Sequence, residues 1–257
     1  MSELAVTYLG GPTIVLEYGG LRILTDPTFD PPGRYPDPDG GQDLVKTVGP
    51  ALQPDELGAI DLVLLSHHHH EDNLDNAGRD FLARVPLTLS TGMAARDLGG
   101  TVEALEPGQS RTFGAVTITG TPALHGPAEL DPVIGPVIGF LLRAEGEPTV
   151  YVSGDNASLD IVREVVDTAK GVDVAVLHAG AARVKEIDAA LTFGSADAAK
   201  AAVILAAQRV VGVHTEDWDH FSETREQLVS AFEAADLAEV LVDTPRGERT
   251  TISVGRL

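Results

Sequence analysis

Four consecutive histidines, His67 to His70, follow the apolar run Ile60-Asp61-Leu62-Val63-Leu64-Leu65 and precede Glu71, Asp72, Asn73 and Asp75. Neutral imidazole is a common ligand for divalent ions, and carboxylate adds a hard oxygen beside it. His67 and His69 are two apart, so on extended backbone their side chains point the same way and can grip one ion. Asp72 is close enough to add an oxygen to that ion or to a second one. The chain has no cysteine, so thiolate is excluded as ligand or nucleophile and any metal must sit on His, Asp and Glu. The competing reading is an exposed polar loop with chance clustering of histidine. The position directly after a buried strand favours the metal.

Four further groups also stand at the ends of apolar runs: His125, Asp155, His178 and His214. Polar side chains at strand C-terminal ends, above an apolar floor, are where mixed α/β folds build sites. Alone, His125 or His214 reads as a hydrogen-bonded structural histidine, and Asp155 in Ser153-Gly154-Asp155-Asn156 as a turn or cap residue. With the histidine run they become its missing ligands. Zinc accepts His and carboxylate and keeps an open position for water in catalytic sites. Two ions close together would share a carboxylate, and Asp155 is the natural candidate.

These groups need strands to carry them. Leu4–Leu9, Thr13–Tyr18 and Leu21–Leu24 read as three strands separated by Gly10-Gly11 and Gly19-Gly20, a hairpin signal. Residues 30–50 are rich in Pro, Gly and Asp and read as a long loop that either shapes a site or is a surface insertion. Strands are expected at 60–65, 87–89, 115–120, 137–142, 149–152, 172–177, 210–213, 239–242 and 250–254. Helices are expected at 75–84, at 158–169, at 195–208 with Ser195 as N-cap, and at 222–235 capped by Ser222. Strand-rich first and alternating later, this order predicts an α+β chain. Its architecture is an αββα four-layer sandwich, two mixed sheets face to face with helices on both outer faces. No low-complexity linker divides it, so residues 1–257 are expected to form a single domain, and no repeat of fixed period is found.

Of the 257 residues, 43 % are hydrophobic and 22 % charged, an ordinary globular balance. The formal net charge is −21. So acidic a chain repels phosphate backbones, and nucleic acid is not expected as a partner. No apolar run reaches the roughly 18 residues that a membrane helix needs, so no membrane partner is expected either. Met1-Ser2-Glu3-Leu4-Ala5 shows no basic n-region and no apolar h-region, which predicts a cytoplasmic protein without a signal peptide. The scarcity of aromatics, 5 %, points to a small polar ligand. A homo-oligomer stays open.

The quoted residues resemble the metallo-β-lactamase fold superfamily, most closely its branch of bacterial metal-dependent hydrolases similar to ascorbate-6-phosphate lactonase. The likeness runs from Leu24-Thr25-Asp26-Pro27 through Leu65-Ser66-His67-His68-His69, Thr121-Pro122-Ala123-Leu124-His125-Gly126 and Val152-Ser153-Gly154-Asp155 to Val213-His214. The resemblance implies that His67, His69 and His125 hold one ion, that Asp72 and His214 hold a second, and that Asp155 bridges them. It implies one or two divalent ions, zinc foremost, with manganese or iron as alternatives. His178 falls in a loop near the metals, as a substrate-contacting or supporting group. Asp26 would orient a ligand histidine, and Trp218 and His220 would line the pocket or, for Trp218, serve the structure.

The family pattern His-x-His-x-Asp-His is not met in full. Without gaps, Glu71 and Asp72 occupy its last two positions. With one inserted residue, Asp72-Asn73-Leu74-Asp75 matches Asp-His-Leu-Asp, and Asn73 replaces a second-site histidine. The insertion is preferred because it keeps Leu-Asp. His70 is the nearest replacement; otherwise the second site is weaker, takes another metal or is empty. The implied function is a hydrolase that uses a metal-bound hydroxide on a small ester, lactone or phosphodiester, with Asp72 accepting the proton. Its rivals are a nuclease, a degenerate member without catalysis, and iron redox chemistry, for which no flavin domain is left over.

Overall fold

The computed structural model describes residues 4–38, 40–130 and 135–255. The strands, in chain order, begin with β1 (Ala5–Gly10), β2 (Thr13–Tyr18), β3 (Leu21–Thr25), β4 (Gly33–Tyr35), β5 (Leu44–Lys46), β6 (Leu62–Leu64), β7 (Thr88–Ser90) and β8 (Val102–Ala104). They continue with β9 (Ser110–Phe113), β10 (Val116–Pro122), β11 (Ile138–Arg143), β12 (Val150–Val152), β13 (Val174–His178), β14 (Arg209–Val213) and β15 (Arg249–Thr251). The helices among the described residues are α1 (Asn76–Leu82), α2 (Gly92–Leu98), α3 (Leu159–Ala169), α4 (Ser195–Leu205) and α5 (Arg225–Ala234).

Seven strands make one sheet, in the order β15-β1-β2-β3-β6-β7-β8, and six make another, β14-β13-β12-β11-β10-β9. Both are mixed. The first is antiparallel from β15 to β3 and parallel from β3 to β8; the second is parallel only through β12, β13 and β14.

Side-chain alternation explains the layers. Leu62 and Leu64 of β6 face the inner core, shared with Val174 and Val176 of β13 across the sandwich. Val63 and Leu65 face the other way, onto Leu74, Phe81 and Leu82 at α1. Ala175 and Leu177 turn out to meet Val162 and Val165 of α3 and Ala198 and Ala202 of α4. A run that is apolar on both faces is what a strand buried between a helix layer and a second sheet requires. The expected αββα sandwich is therefore present.

The boundaries carry corrections. The segment 239–242 forms no strand: Val240 and Leu241 bond back to Leu237 as a turn, and only Leu241 bridges to Val210. The last strand, Arg249–Thr251, is shorter than expected; it pairs with Ala5–Thr7, and Ile252 N adds a bond to Leu4 O. The helix expected at 195–208 ends at Leu205, where Ala206 turns left-handed, and its N-cap is Gly194, not Ser195. Helix α5 is capped by Thr224, whose side chain accepts from Gln227 N; Ser222 instead donates to Ala181 O at 2.6 Å. Asp75 caps α1, accepting from Gly78 N at 2.8 Å.

The long loop is partly ordered by pairing. β4 and β5 form a small hairpin, and Lys46 bridges in turn to Trp218. Helix α2 and strands β8 and β9 were not expected from the sequence. No helix among the described residues is long and apolar enough to cross a membrane.

Candidate metal centre

Strand ends from both sheets deliver the polar groups to one place. β3 runs into Asp26, β6 into Ser66 and His67, β10 leads to His125, β12 to Asp155, β13 ends on His178, and β14 runs into His214. Two close approaches hold the strand ends together. His214 N donates to Gly11 O in the β1–β2 turn at 2.7 Å. Gly180 packs so tightly that a Cβ there would meet His214 O at 1.9 Å.

The histidine run does not continue the strand. β6 stops at Leu64, the chain bends at 68–70 and turns at 71–73, with Asn73 N and Leu74 N both donating to His70 O. Period-2 alternation therefore fails here. His70 Nδ1 lies 3.0 Å from His67 Nε2 and 3.2 Å from His125 Nε2. His70 Nδ1 thus lies between His67 and His125, on the side of the centre where the resemblance implies His69. His69 stays close: His67, His69 and His70 offer nitrogens within 4.8 Å of one another.

Asp155 stands at the middle, fully buried. Its Oδ2 lies 3.7 Å from His125 Nε2 and 3.9 Å from His67 Nε2, and has no hydrogen-bond partner among the described residues. Its Oδ1 accepts from His178 Nδ1 at 2.7 Å and from Asn73 Nδ2 at 3.4 Å, with His214 Nε2 3.7 Å away. On the far side, one oxygen of Asp72 receives His214 Nε2 at 3.1 Å and His220 Nε2 at 3.0 Å. Thus His67, His125, Asp155, His178, Asp72 and His214 all converge.

The outer nitrogens fix the inner ones. His125 Nδ1 donates to Leu191 O at 2.8 Å, and His67 Nδ1 pairs with Ser66 Oγ at 2.9 Å. In the neutral ring this leaves Nε2 of His125 with a lone pair facing Asp155, the arrangement that metal-ligating histidines show, and the Ser66 hydroxyl, able to donate or accept, orients the ring of His67. Ligands bonded to one tetrahedral ion at 2.0–2.2 Å lie about 3.4 Å apart. The contacts of 3.0–3.9 Å among His67, His70, His125 and Asp155 bracket that value, and the two to Asp155 Oδ2 are too long for hydrogen bonds. With a buried, unpartnered carboxylate oxygen among them, these donors fit a divalent ion.

Protonation suits the same purpose. Burial, then the neighbouring His69, holds His67 well below the usual imidazole range. Burial, with His125 and His69 nearby, takes His70 down to about 3. Both rings are neutral at pH 7, as a ligand must be. Burial would push Asp72 up, but His220 and His214 outweigh it and hold the carboxyl well below its ordinary value. Burial likewise opposes ionisation of Asp155, and the charge of His214 with the hydrogen bond from His178 overcomes it. Burial raises Asp26 well above the carboxylate range, only partly offset by the 2.6 Å bond from Ser66 N.

Of the two roles expected for His178, substrate contact or support, its geometry is that of support: it is fully buried, with Nδ1 2.7 Å from Asp155 Oδ1 and Nε2 3.7 Å from Asp26 Oδ2. Asp26, expected to orient a ligand histidine, accepts from the backbone of Ser66 and so supports the run through its main chain, and its other oxygen has no hydrogen-bond partner among the described residues. Trp218 is buried beneath Lys46 and Tyr35, a structural role. His220 was read only as pocket lining, because its place depends on pairing with a distant strand.

The comparisons with known proteins agree. A family described as the beta-lactamase superfamily domain matches residues 21–215. A UPF0173 metal-dependent hydrolase of Pelotomaculum thermopropionicum is 29% identical over 251 residues, 93% of this chain and 96% of its own. Among solved structures, one described as a possible metal-dependent hydrolase from Veillonella parvula has a TM-score of 0.84 at 21% identity, covering 97% of this chain and 100% of that one. An isothiocyanate hydrolase from Delia radicum gut bacteria has a TM-score of 0.82 at 22% identity, covering 98% and 100%.

Proposed function

This chain belongs to the beta-lactamase superfamily, and from that premise we propose that it is a metal-dependent hydrolase of a small ester, lactone or phosphodiester. The observation that carries the reading is the division of Asp155, whose two oxygens face two separate groups of histidines. His67, His70, His125 and Asp155 Oδ2 would hold one divalent ion. Asp72, His214 and Asp155 Oδ1 would take part in holding a second. Zinc suits this donor set first, with manganese or iron as alternatives. Ions there would lower the pKa of bound water toward roughly 7 and polarise the oxygen of the scissile group.

The chain's own residues then orient and hold. His178 fixes Asp155, the Leu191 carbonyl fixes the tautomer of His125, and the Ser66 hydroxyl orients the ring of His67. Asp72 already receives two imidazole nitrogens on one oxygen and is kept strongly ionised, so holding suits it better than accepting a proton. The net charge of −21 supports a small-molecule substrate over nucleic acid. The relatives' names support the same class of activity.

Elemental analysis of untagged protein, with His67→Ala and Asp155→Ala alongside, tests the reading. Two equivalents of metal, lost in both variants, followed by turnover of a lactone, a p-nitrophenyl ester or a bis-aryl phosphate, support it. Protein that binds no metal after loading with zinc, manganese and iron refutes it.

A further inference from the structure

We propose that His220 is a ligand of the second ion, supplying the nitrogen donor that Asn73 cannot. The proposal rests on the metal-centre reading above and concerns how this chain completes it.

Asn73 stands where the family pattern has a second-site histidine, and it is fully buried. Its amide nitrogen points to Ser66 Oγ at 3.3 Å and Asp155 Oδ1 at 3.4 Å. An amide N–H₂ has no lone pair to give, so that position offers the ion no nitrogen. Asp72, His214 and Asp155 Oδ1 are then left with one nitrogen donor among them, and the buried Asn73 Oδ1 adds only an oxygen. His220 Nε2 sits 3.0 Å from the same Asp72 oxygen that His214 Nε2 approaches at 3.1 Å. The two rings thus reach the carboxylate as a pair. The ring of Phe221 packs on both, at 4.0 Å from His214 and 4.6 Å from His220.

The backbone around His220 is built to hold it there. Thr47 N donates to Asp217 O at 2.7 Å, Asp219 N to Val45 O at 3.1 Å, and Arg183 N to His220 O at 2.9 Å. Asp217, left-handed at φ 80, is clamped by Arg246 at 2.6 and 2.7 Å. The side chain of His220 is 4 % exposed. A pocket-lining histidine has no need of such a mounting, whereas a ligand must be held within about 0.5 Å of its productive position. His220 also lies beyond residue 215, outside the span that the family matches.

Cobalt(II) titration of the full chain, followed by visible absorption and elemental analysis, is the test. Wild type is expected to take two equivalents, and Trp218→Phe to do the same. His220→Gln is expected to keep one equivalent and to bind the second at least tenfold more weakly, with a changed visible band. A variant-free check uses histidine ring ¹⁵N spectra of wild type loaded with two equivalents of zinc. Nitrogens of His67, His70, His125, His214 and His220 are expected to shift to metal-bound positions. Two equivalents bound by His220→Gln with unchanged affinity and band, or a His220 ring that does not respond to zinc, overturns the proposal alone. Wild type that takes up no cobalt overturns the metal-centre reading, and this role with it.

Discussion

His178 Nδ1 donates a 2.7 Å hydrogen bond to Asp155 Oδ1, while the other oxygen of Asp155 faces His67 and His125 with no hydrogen-bond partner among the described residues. The bond aims the carboxylate, so His178 acts through Asp155. Replacing such a supporting partner typically lowers metal affinity 10–100-fold. His178→Gln is therefore expected to weaken metal binding by that factor, read by competition with a chromophoric chelator, and to leave KM for any substrate little changed. A raised KM with full metal affinity would instead make His178 a contact residue.

The turn at 67–73 separates the roles of two neighbouring histidines. His70 Nδ1 lies between His67 and His125, at 3.0 and 3.2 Å. His70→Ala is expected to lose one equivalent of metal, and His69→Ala to retain both. Elemental analysis of the two variants decides it. The opposite pattern would mean that the segment straightens on binding metal and that the family's His-x-His spacing applies after all.

The strand-end donors were legible because His67, Asp155, His178 and His214 each follow a short run apolar on both faces, as an inner strand requires, and His125 follows an alternating one. That placed His67, His125, Asp155, His178 and His214 at one end of the sandwich. The choice between His69 and His70 was not legible, since it turns on where β6 stops, and alternation says nothing beyond a strand's last residue. His220 was hidden for another reason. Its position is set by main-chain bonds from residues 217–219 to Val45 and Thr47, about 170 positions earlier. Ser195 and Ser222 look like caps in isolation, but Gly194 and Thr224 occupy the cap positions in the fold.

Asp30 makes the long loop sensitive to acid. Burial raises its carboxyl, but the hydrogen bonds from Tyr35 Oη at 2.9 Å, Ala77 N at 3.0 Å and Asn76 outweigh this, and its pKa is lowered overall. A depressed carboxyl stabilises the fold above its unfolded pKa of about 3.9 and loses that contribution as pH falls through the lower folded value. Asp30→Asn should therefore flatten the fall in stability below about pH 4 while lowering stability at pH 7. Urea midpoints of metal-free protein across pH 3–7 test this; parallel curves for the two proteins would show that the carboxylate makes no net contribution.

Lys46 ties the same loop to the centre. Its ammonium is 2.8 Å from Asp75 Oδ2, with side-chain exposures of 2% and 0%, and lies 5.5 Å from the centre of the Trp218 ring. Asp75 also caps α1 and accepts from Asp30 N at 2.7 Å. A buried pair adds little over an apolar isostere, but removing one partner strands the other and costs about 3–5 kcal/mol. Lys46→Met is expected to destabilise metal-free protein by that amount in urea. The bridge from Lys46 to Trp218 lies two residues before His220, so the variant should also weaken binding of the second cobalt more than the first. A stability loss under about 1 kcal/mol would show that backbone donors alone balance Asp75. Equal weakening of both cobalt equivalents would show that the hairpin does not govern the position of His220.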